Sequence, residues 1–148
     1  MMDRDRTRAQ IEQMEGREHL AYPDPVTKAE PWTIGVGHTG PEVCRGLMWT
    51  DAQIDRQFDK DLDNAIAGVA LREPWAMSMA DARVAVLVNM AFQMGIFGLG
   101  KFVHMLSAAQ NQDWQQAHDQ MLDSTWARQT SERAQTLATQ MLTGEWQS

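Results

Sequence analysis

Glu15 and Asp24 are the residues in this chain whose type and spacing best suit acid–base chemistry. Cleaving a glycosidic bond takes a proton donor at the leaving oxygen and a second carboxylate that activates water or stabilises an oxocarbenium-like transition state. The two acids must therefore occupy unlike environments. Glu15 falls at the C-terminal end of a short predicted helix, where the negative pole of the helix dipole and partial burial beside Ile11 and Met14 favour a proton-bearing acid. Asp24 lies between Pro23 and Pro25 in an extended segment; Pro23 fixes its own φ and Pro25 disfavours the helical region for Asp24, which leaves the carboxylate on a stiff stem. Thr33 belongs to the strand that would return beside it, with a hydroxyl suited to hold a water molecule. Residue types alone leave a second reading open, because acids near helix ends and turns are commonplace as solvated surface charge.

The elements that must position these groups follow from periodicity. Residues 5–14 fit a helix with Ile11 and Met14 three apart, and Gly16 stands where a left-handed C-terminal residue would sit. From Leu20 to Gly40 the composition turns to Pro23, Pro25, Pro31 and Gly35, Gly37, Gly40 around Tyr22, Val26, Trp32, Thr33, Ile34 and Val36, which predicts a hairpin or small sheet with a loop over 25–31. Thr50 and Gln53 form a capping-box pattern, and Ile54, Phe58, Leu62, Ala65 and Ile66 recur at helical spacing, so a long helix is expected over 51–69. Ser78 to Asp81 reads as a second helix start, before a stretch through Val84, Leu87, Val88, Ala91 and Phe92 that is apolar nearly all round and belongs in a core. Helices over 101–110, 113–123 and 130–142 complete the chain, with Asp113 and Gln116 as a further capping box. The expectation is an α+β fold with two lobes on a single domain: a sheet lobe over about 16–50, a connecting helix over 51–69, and a helical lobe of 1–15 and 70–148.

At 148 residues the chain is long enough to bury a real core. Hydrophobic residues make up 43% and charged residues 22%, so the composition is that of an ordinary globular protein rather than a disordered one. A formal charge of -7 with no Lys/Arg-rich run argues against nucleic-acid binding through a basic surface. Cys44 is the single cysteine, so no internal disulfide is required. No apolar segment follows the charged N-terminus, which predicts no signal peptide, and the longest apolar run, 84–92, is far shorter than the roughly 20 residues of a membrane span.

Other signals point away from chemistry. Gly35, Gly37 and Gly40 spell G-x-G-x-x-G, yet a dinucleotide site requires the last glycine to open a helix, and here Pro41 and Gly46 follow. Glycines that let strand backbone approach a sugar or bend a small sheet fit better. His19, His38, His104 and His118 show no metal-ligand spacing with Cys44, so no metal or cofactor is expected, and Cys44 reads as a small buried hydrophobe. The 11 methionines, Trp114 and Trp146 read as core packing. Trp32 and Trp49, which flank the sheet segment, are candidates to stack on sugar rings.

The segment from Glu15-Gly16 through Tyr22-x-Asp24, followed by Trp32-Thr33-Ile34-Gly35-Val36-Gly37-His38-Thr39-Gly40, resembles the active-site signature of the phage lysozymes of the T4 type. Asn89-Met90-Ala91-Phe92-Gln93-Met94-Gly95, then Ser124-Thr125-Trp126-Ala127-Arg128-Gln129-Thr130 running to Arg133, and Thr143-Gly144-Glu145-Trp146, are similar to the helical lobe of that family in the same order. The resemblance implies that Glu15 is the general acid, that Asp24 and Thr33 position and activate the attacking water, and that the β-1,4 bond between N-acetylmuramic acid and N-acetylglucosamine is cut with inversion. It further implies that Gln93 lines the sugar cleft, that Trp126 supports Gln93, that Arg133 pairs with Glu15, and that His38 and Asp61 form a partly buried ion pair serving stability. Departures from the family pattern are a longer loop between Asp24 and Thr33, with Lys28, Ala29 and Glu30 as extra residues, a shorter segment from His38 to Thr50, and an acidic pI.

The partners so implied are peptidoglycan glycan strands, met by a monomer without nucleic acid or a membrane span. The protein would be made in the host cytoplasm and act in the periplasm, delivered by a holin or as a virion component. Two alternatives from other classes stand beside this muramidase: a lysozyme-shaped module that binds peptidoglycan or serves as a scaffold without cutting, and a lytic transglycosylase that ends in an anhydro sugar. Intact Glu15, Asp24 and Thr33 weigh against the first, and retention of both Asp24 and Thr33 weighs against the second.

Overall fold

Gly16 stops the first helix: α1 (Arg4–Glu15) ends where Gly16 takes a φ of 78° and donates its N–H to Glu12 O at 2.8 Å. The computed structural model describes residues 2–148. After α1 come strands β1 (Glu18–Tyr22), β2 (Thr33–Gly35) and β3 (His38–Thr39), then helices α2 (Asp51–Arg72), α3 (Asp81–Gly100), α4 (Val103–Gln110), α5 (Trp114–Leu122), α6 (Thr125–Gln129) and α7 (Ser131–Thr143), with a 3-10 turn at Pro74–Ser78 between α2 and α3. The fold is α+β, mostly helical with one small antiparallel sheet. Two compact units divide it within α1 and α2: Arg8–Asn64, and the residues up to Thr7 together with Ala65–Ser148.

The Arg8–Asn64 unit carries the sheet, in the order β1-β2-β3. Glu18 pairs with Gly35 and Tyr22 with Thr33, so β1 spends more residues than β2 over the same span and bulges between the two pairs. Within the bulge β1 turns to another partner: Ala21 N–H donates to Leu47 O at 3.0 Å, Trp49 N–H to His19 O at 2.8 Å, and Leu20 bridges Met48. Ala21, Ile34 and Val43 are buried together beneath Trp32, Leu47 and Trp49. The reciprocal cap read from the sequence forms at the head of α2, with Thr50 N–H donating to Gln53 Oε1 at 2.8 Å and Gln53 N–H to Thr50 Oγ1 at 3.2 Å. Ile54, Phe58 and Leu62 then bury one face of α2.

Arginine side chains tie α1 and the start of β1 to α2 in this unit. Arg8 donates to Asp59 and Asp55 at 3.0 and 3.2 Å, and its guanidinium lies 4.4 Å from the Phe58 ring centroid. Arg17 donates to Asp51, Asp55 and Glu12. Solvent-facing ion pairs of this kind contribute only about 0.2–1 kcal/mol each, so their chief effect is to fix where α1 ends relative to the sheet.

In the helical unit α3 is the buried element, with every residue from Val84 to Ala91 inside. Sequence reading undersized this stretch: α3 runs 20 residues and is apolar enough to cross a membrane by length and composition, because Ala82 and the segment through Ile96 and Leu99 extend it. Leu99 near its end is buried too, as are Met105, Met121, Leu137 and Met141 on the other helices of the unit. Gly95, at φ 80° and ψ 160°, breaks the helix about three quarters of the way along. α3 begins at Asp81, the last residue of the 78–81 start signal; Ser78 itself closes the 3-10 turn, and Ala80 caps α3 without a side-chain bond.

Three further expectations are corrected. Cys44 is exposed, because the irregular segment before Gly46 turns Val43 inward in its place. Trp114 and Trp146 are only partly buried, each covered by a cation, Arg83 at 3.8 Å and Arg6 at 4.9 Å from the ring centroid. Met90, Met105, Met121 and Met141 lie in the core, whereas Met48 is exposed.

Candidate active site

Glu15 is the last residue of α1, and its carboxyl rests on the backbone of the β2–β3 turn. A β-carbon added at Gly37 would overlap Glu15 Oε2 and stand 2.8 Å from its Cδ. Gly37 has a φ of 65°, a conformation that L side chains seldom adopt. Position 37 is thus closed to side chains on two counts, and the glycine lets the carboxyl approach the sheet. What the sequence reading assigned to a sugar or a bend is here a close approach by the chain's own carboxyl group.

Beside Glu15 on the same sheet stand Tyr22 and Thr33. They are direct cross-strand partners, so their side chains leave the same face about 5 Å apart. Burial first, and then the charges of Glu15 and Glu18, raise the pKa of the Tyr22 phenol; a hydrogen bond with the Thr33 side chain acts the other way. Three groups therefore meet in one neighbourhood: a carboxyl, a phenol and an aliphatic hydroxyl. Tyr22 was no candidate in the sequence reading, and only its place two residues before Asp24 could have drawn attention to it.

Asp24 opens the loop that follows β1. Its Oδ1 accepts from Val26 N–H at 2.8 Å and Thr27 N–H at 3.0 Å. These two bonds, Thr27's first, hold its pKa below the usual carboxylate value. The loop is laced to itself as well: Asp24 N–H donates to Ala29 O, Lys28 N–H to Asp24 O, and Thr27 Oγ1 to Glu30 O at 2.8 Å. Lys28, Ala29 and Glu30 are exposed. The stiffness expected from Pro23 and Pro25 thus has a second source in hydrogen bonds, which the sequence did not signal.

The helical unit brings together the other named residues. Trp126 Nε1 donates to Gln93 Oε1 at 2.8 Å, which orients the amide so that its NH2 points away from the indole, and Phe102 meets the Trp126 ring edge-on at 5.8 Å. Asn89, one helical turn before Gln93 on α3, is buried and accepts at Oδ1 from Arg133 Nη2 at 2.6 Å and Nε at 3.1 Å. The α6–α7 segment therefore anchors two positions on one face of α3, four residues apart. Asn89 was quoted in the sequence only as part of a motif, not as Arg133's partner.

His38 on β3 is held from both sides. Nδ1 lies 2.7 Å from Asp61 Oδ2 and Nε2 2.7 Å from Glu42 Oε1, and Gln57 donates to the other Asp61 oxygen at 2.8 Å. Two carboxylates on two ring nitrogens call for imidazolium, the only form that donates from both. The Asp61 bond is the largest cause of the raised His38 pKa; burial opposes it and Glu42 adds to it. Trp49 flanks the ring at 5.6 Å between centroids. Trp32, with Trp49, packs half-buried on the small apolar cluster of the sheet. Among the described residues no group of three His, Cys, Asp or Glu side chains could hold a metal ion.

Glu15 at a helix end, Asp24 in the loop after β1 and Thr33 opening β2 lie within the span matched by the family model for phage lysozyme, residues 12–141. The chain belongs to the phage lysozyme family. Relatives of this chain include the pre-baseplate central spike protein Gp5 of Enterobacteria phage T4, 43% identical over 143 residues, or 78% of this chain and 24% of the spike protein. The endolysin of Lactococcus phage c2 is 31% identical over 127 residues, covering 82% of this chain and 54% of that protein. A probable T4-type lysozyme 1 of Dictyostelium discoideum is 26% identical over 98 residues, 64% of this chain and 58% of its own length. The chain thus spans about a quarter of the spike protein and little more than half of the other two.

Proposed function

We propose that this chain is a muramidase that hydrolyses the β-1,4 bond between N-acetylmuramic acid and N-acetylglucosamine in peptidoglycan. Glu15 donates the proton to the leaving oxygen, while Asp24 and Thr33 hold and activate a water that attacks with inversion. The observation that carries the reading is the seat of the Glu15 carboxyl, fitted to the Gly37 backbone beside the Tyr22–Thr33 pair. A carboxylate that is only solvated surface charge has no need of a glycine shaped around it. Asp24 adds the second requirement, a carboxylate in an unlike environment, ionised by two backbone N–H groups. Gln93 contributes an amide NH2 for sugar hydrogen bonds, with Trp126 fixing its orientation. The apolar faces of Trp32 and Trp49 suit sugar rings.

Mass spectrometry of digested peptidoglycan tests this directly. Reducing muropeptides are expected; anhydro products would indicate a lytic transglycosylase, and retention on the wall without release would indicate a binding or scaffold module. NMR of the first-formed anomer tests inversion.

For delivery, the 43% identity to a T4 spike protein against 31% to an endolysin favours carriage on the virion over release by a holin. Detection of the chain in purified particles by mass spectrometry is the expected result.

A further inference from the structure

β1 does not follow β2 evenly. Between Glu18 and Tyr22 it bulges away to pair with the 47–49 segment, through Ala21 N–H to Leu47 O and Trp49 N–H to His19 O, then returns to β2 only at Tyr22. Bulges of this kind re-aim a side chain and recur beside active sites. The side chain re-aimed here is Tyr22, set directly across from Thr33 and within the field of Glu15. Tyr22 is half-buried and is the one tyrosine in the chain.

A threonine hydroxyl has one hydrogen and two lone pairs on a free rotor, so on its own it points a water in no fixed direction. The Tyr22 phenol leaves the sheet directly across from Thr33, placed to remove that freedom by a hydrogen bond. We propose that Tyr22 is a positioning residue of the reaction, its phenol fixing the rotor of the Thr33 hydroxyl beside the Glu15 carboxyl. This inference rests on the roles given to Glu15 and Thr33 above.

The test is a double-mutant cycle on purified peptidoglycan with Tyr22→Phe, Thr33→Ala and the pair. Tyr22→Phe removes one oxygen and keeps the ring, and should lower kcat roughly tenfold, the equivalent of one oriented hydrogen bond, with KM little changed. In the Thr33→Ala background the same change should cost nothing further, because the hydroxyl it acts through is gone. Losses that multiply, or an unaltered kcat in Tyr22→Phe, would overturn the proposal while leaving the muramidase reading intact. Full activity in Thr33→Ala would instead remove Thr33 from the reaction, and this inference with it.

A measurement independent of turnover comes from the lone tyrosine. Growth on ring-fluorinated tyrosine labels position 22 alone, and fluorine NMR of the intact chain then reports its surroundings. The resonance is expected to move in both Thr33→Ala and Glu15→Gln. A signal unchanged in Thr33→Ala would show that the two hydroxyls do not interact and would end the proposal, even if Tyr22→Phe failed to fold.

Discussion

The Glu15 carboxyl and the Gly37 backbone occupy adjoining space so closely that no β-carbon fits between them. Gly37→Ala therefore meets two penalties of different kind. Forcing a non-glycine residue to a φ of 65° costs about 1–2 kcal/mol in stability. The clash is with the mobile end of a side chain, so it is relieved by displacing the carboxyl rather than by unfolding. Urea unfolding should show the modest stability loss, and muropeptide release should fall far more steeply. A variant with normal turnover would separate Glu15's seat from its function.

Glu15→Gln is expected to keep the fold and lose the chemical step, since an amide cannot donate the proton to a departing sugar oxygen. Release of reducing ends should drop by at least about a hundredfold, the usual scale of general-acid catalysis. Thermal unfolding should stay near that of the parent. Undiminished lysis would remove Glu15 from the role.

His38 gives the protein a predictable pH response. Its folded-state pKa is raised, chiefly by the bond to Asp61, so the stability it contributes is complete below its unfolded value of about 6.5 and is lost as pH rises through the raised folded value. Glu42 is lowered chiefly by its own hydrogen bond with His38, so its part is present above its ordinary carboxylate value and is lost as pH falls through the lowered one. Melting temperature should thus peak in mildly acidic solution and decline above neutrality. His38→Gln should flatten that decline, and an unchanged slope in the variant would place the titrating group elsewhere.

How much of this was legible in the sequence depends on the range of the interaction. The α2 cap and its apolar face are local: Thr50 and Gln53 lie one turn apart and Ile54, Phe58 and Leu62 repeat at helical spacing, so both were readable. The same locality set the end of α1 at Gly16. α2 ran three residues past its expected end because nothing breaks a helix before Pro74. The short α6 and the 3-10 turn escaped notice, being too brief to show a period. Long-range partners left no local mark. Asn89 under Arg133 and the 47–49 segment inside the β1 bulge are set by tertiary packing, and only coordinates bring them together.

Arg83 holds the C-terminal end of α7 within the helical unit. It donates through Nε to Met141 O at 2.7 Å and through Nη2 to Leu142 O at 2.9 Å, closing the carbonyl end of α7, while its guanidinium lies over Trp114. Gly144 ends the same helix at φ 73°. Arg83→Ala should lower stability by about 2 kcal/mol, through lost charge-assisted bonds and an uncapped helix end, or roughly 5 °C in melting temperature. Activity of the folded fraction should be unaffected. Arg83→Lys is expected to recover only part of the loss, because a point ammonium cannot reproduce a planar fork aimed at two carbonyls.

Asp24 allows charge and loop architecture to be separated in one experiment. Its Oδ1 accepts both loop N–H groups, and asparagine keeps an oxygen in that place while losing the negative charge. Asp24→Asn should therefore leave the loop and the melting temperature nearly unchanged yet cut turnover severely, since a neutral amide does little to activate water. Asp24→Ala removes the acceptor as well, freeing the Val26 and Thr27 amides and loosening the loop, so it should lose activity and raise protease susceptibility over residues 24–31. The depressed pKa of Asp24 keeps it ionised down through the ordinary carboxylate range. Turnover that falls with acid near neutrality in the parent would then have to come from another group. Equal loop proteolysis in the two variants would show that the hydrogen bonds to Oδ1 do not hold the loop, and full turnover in Asp24→Asn would exclude the charge from the reaction.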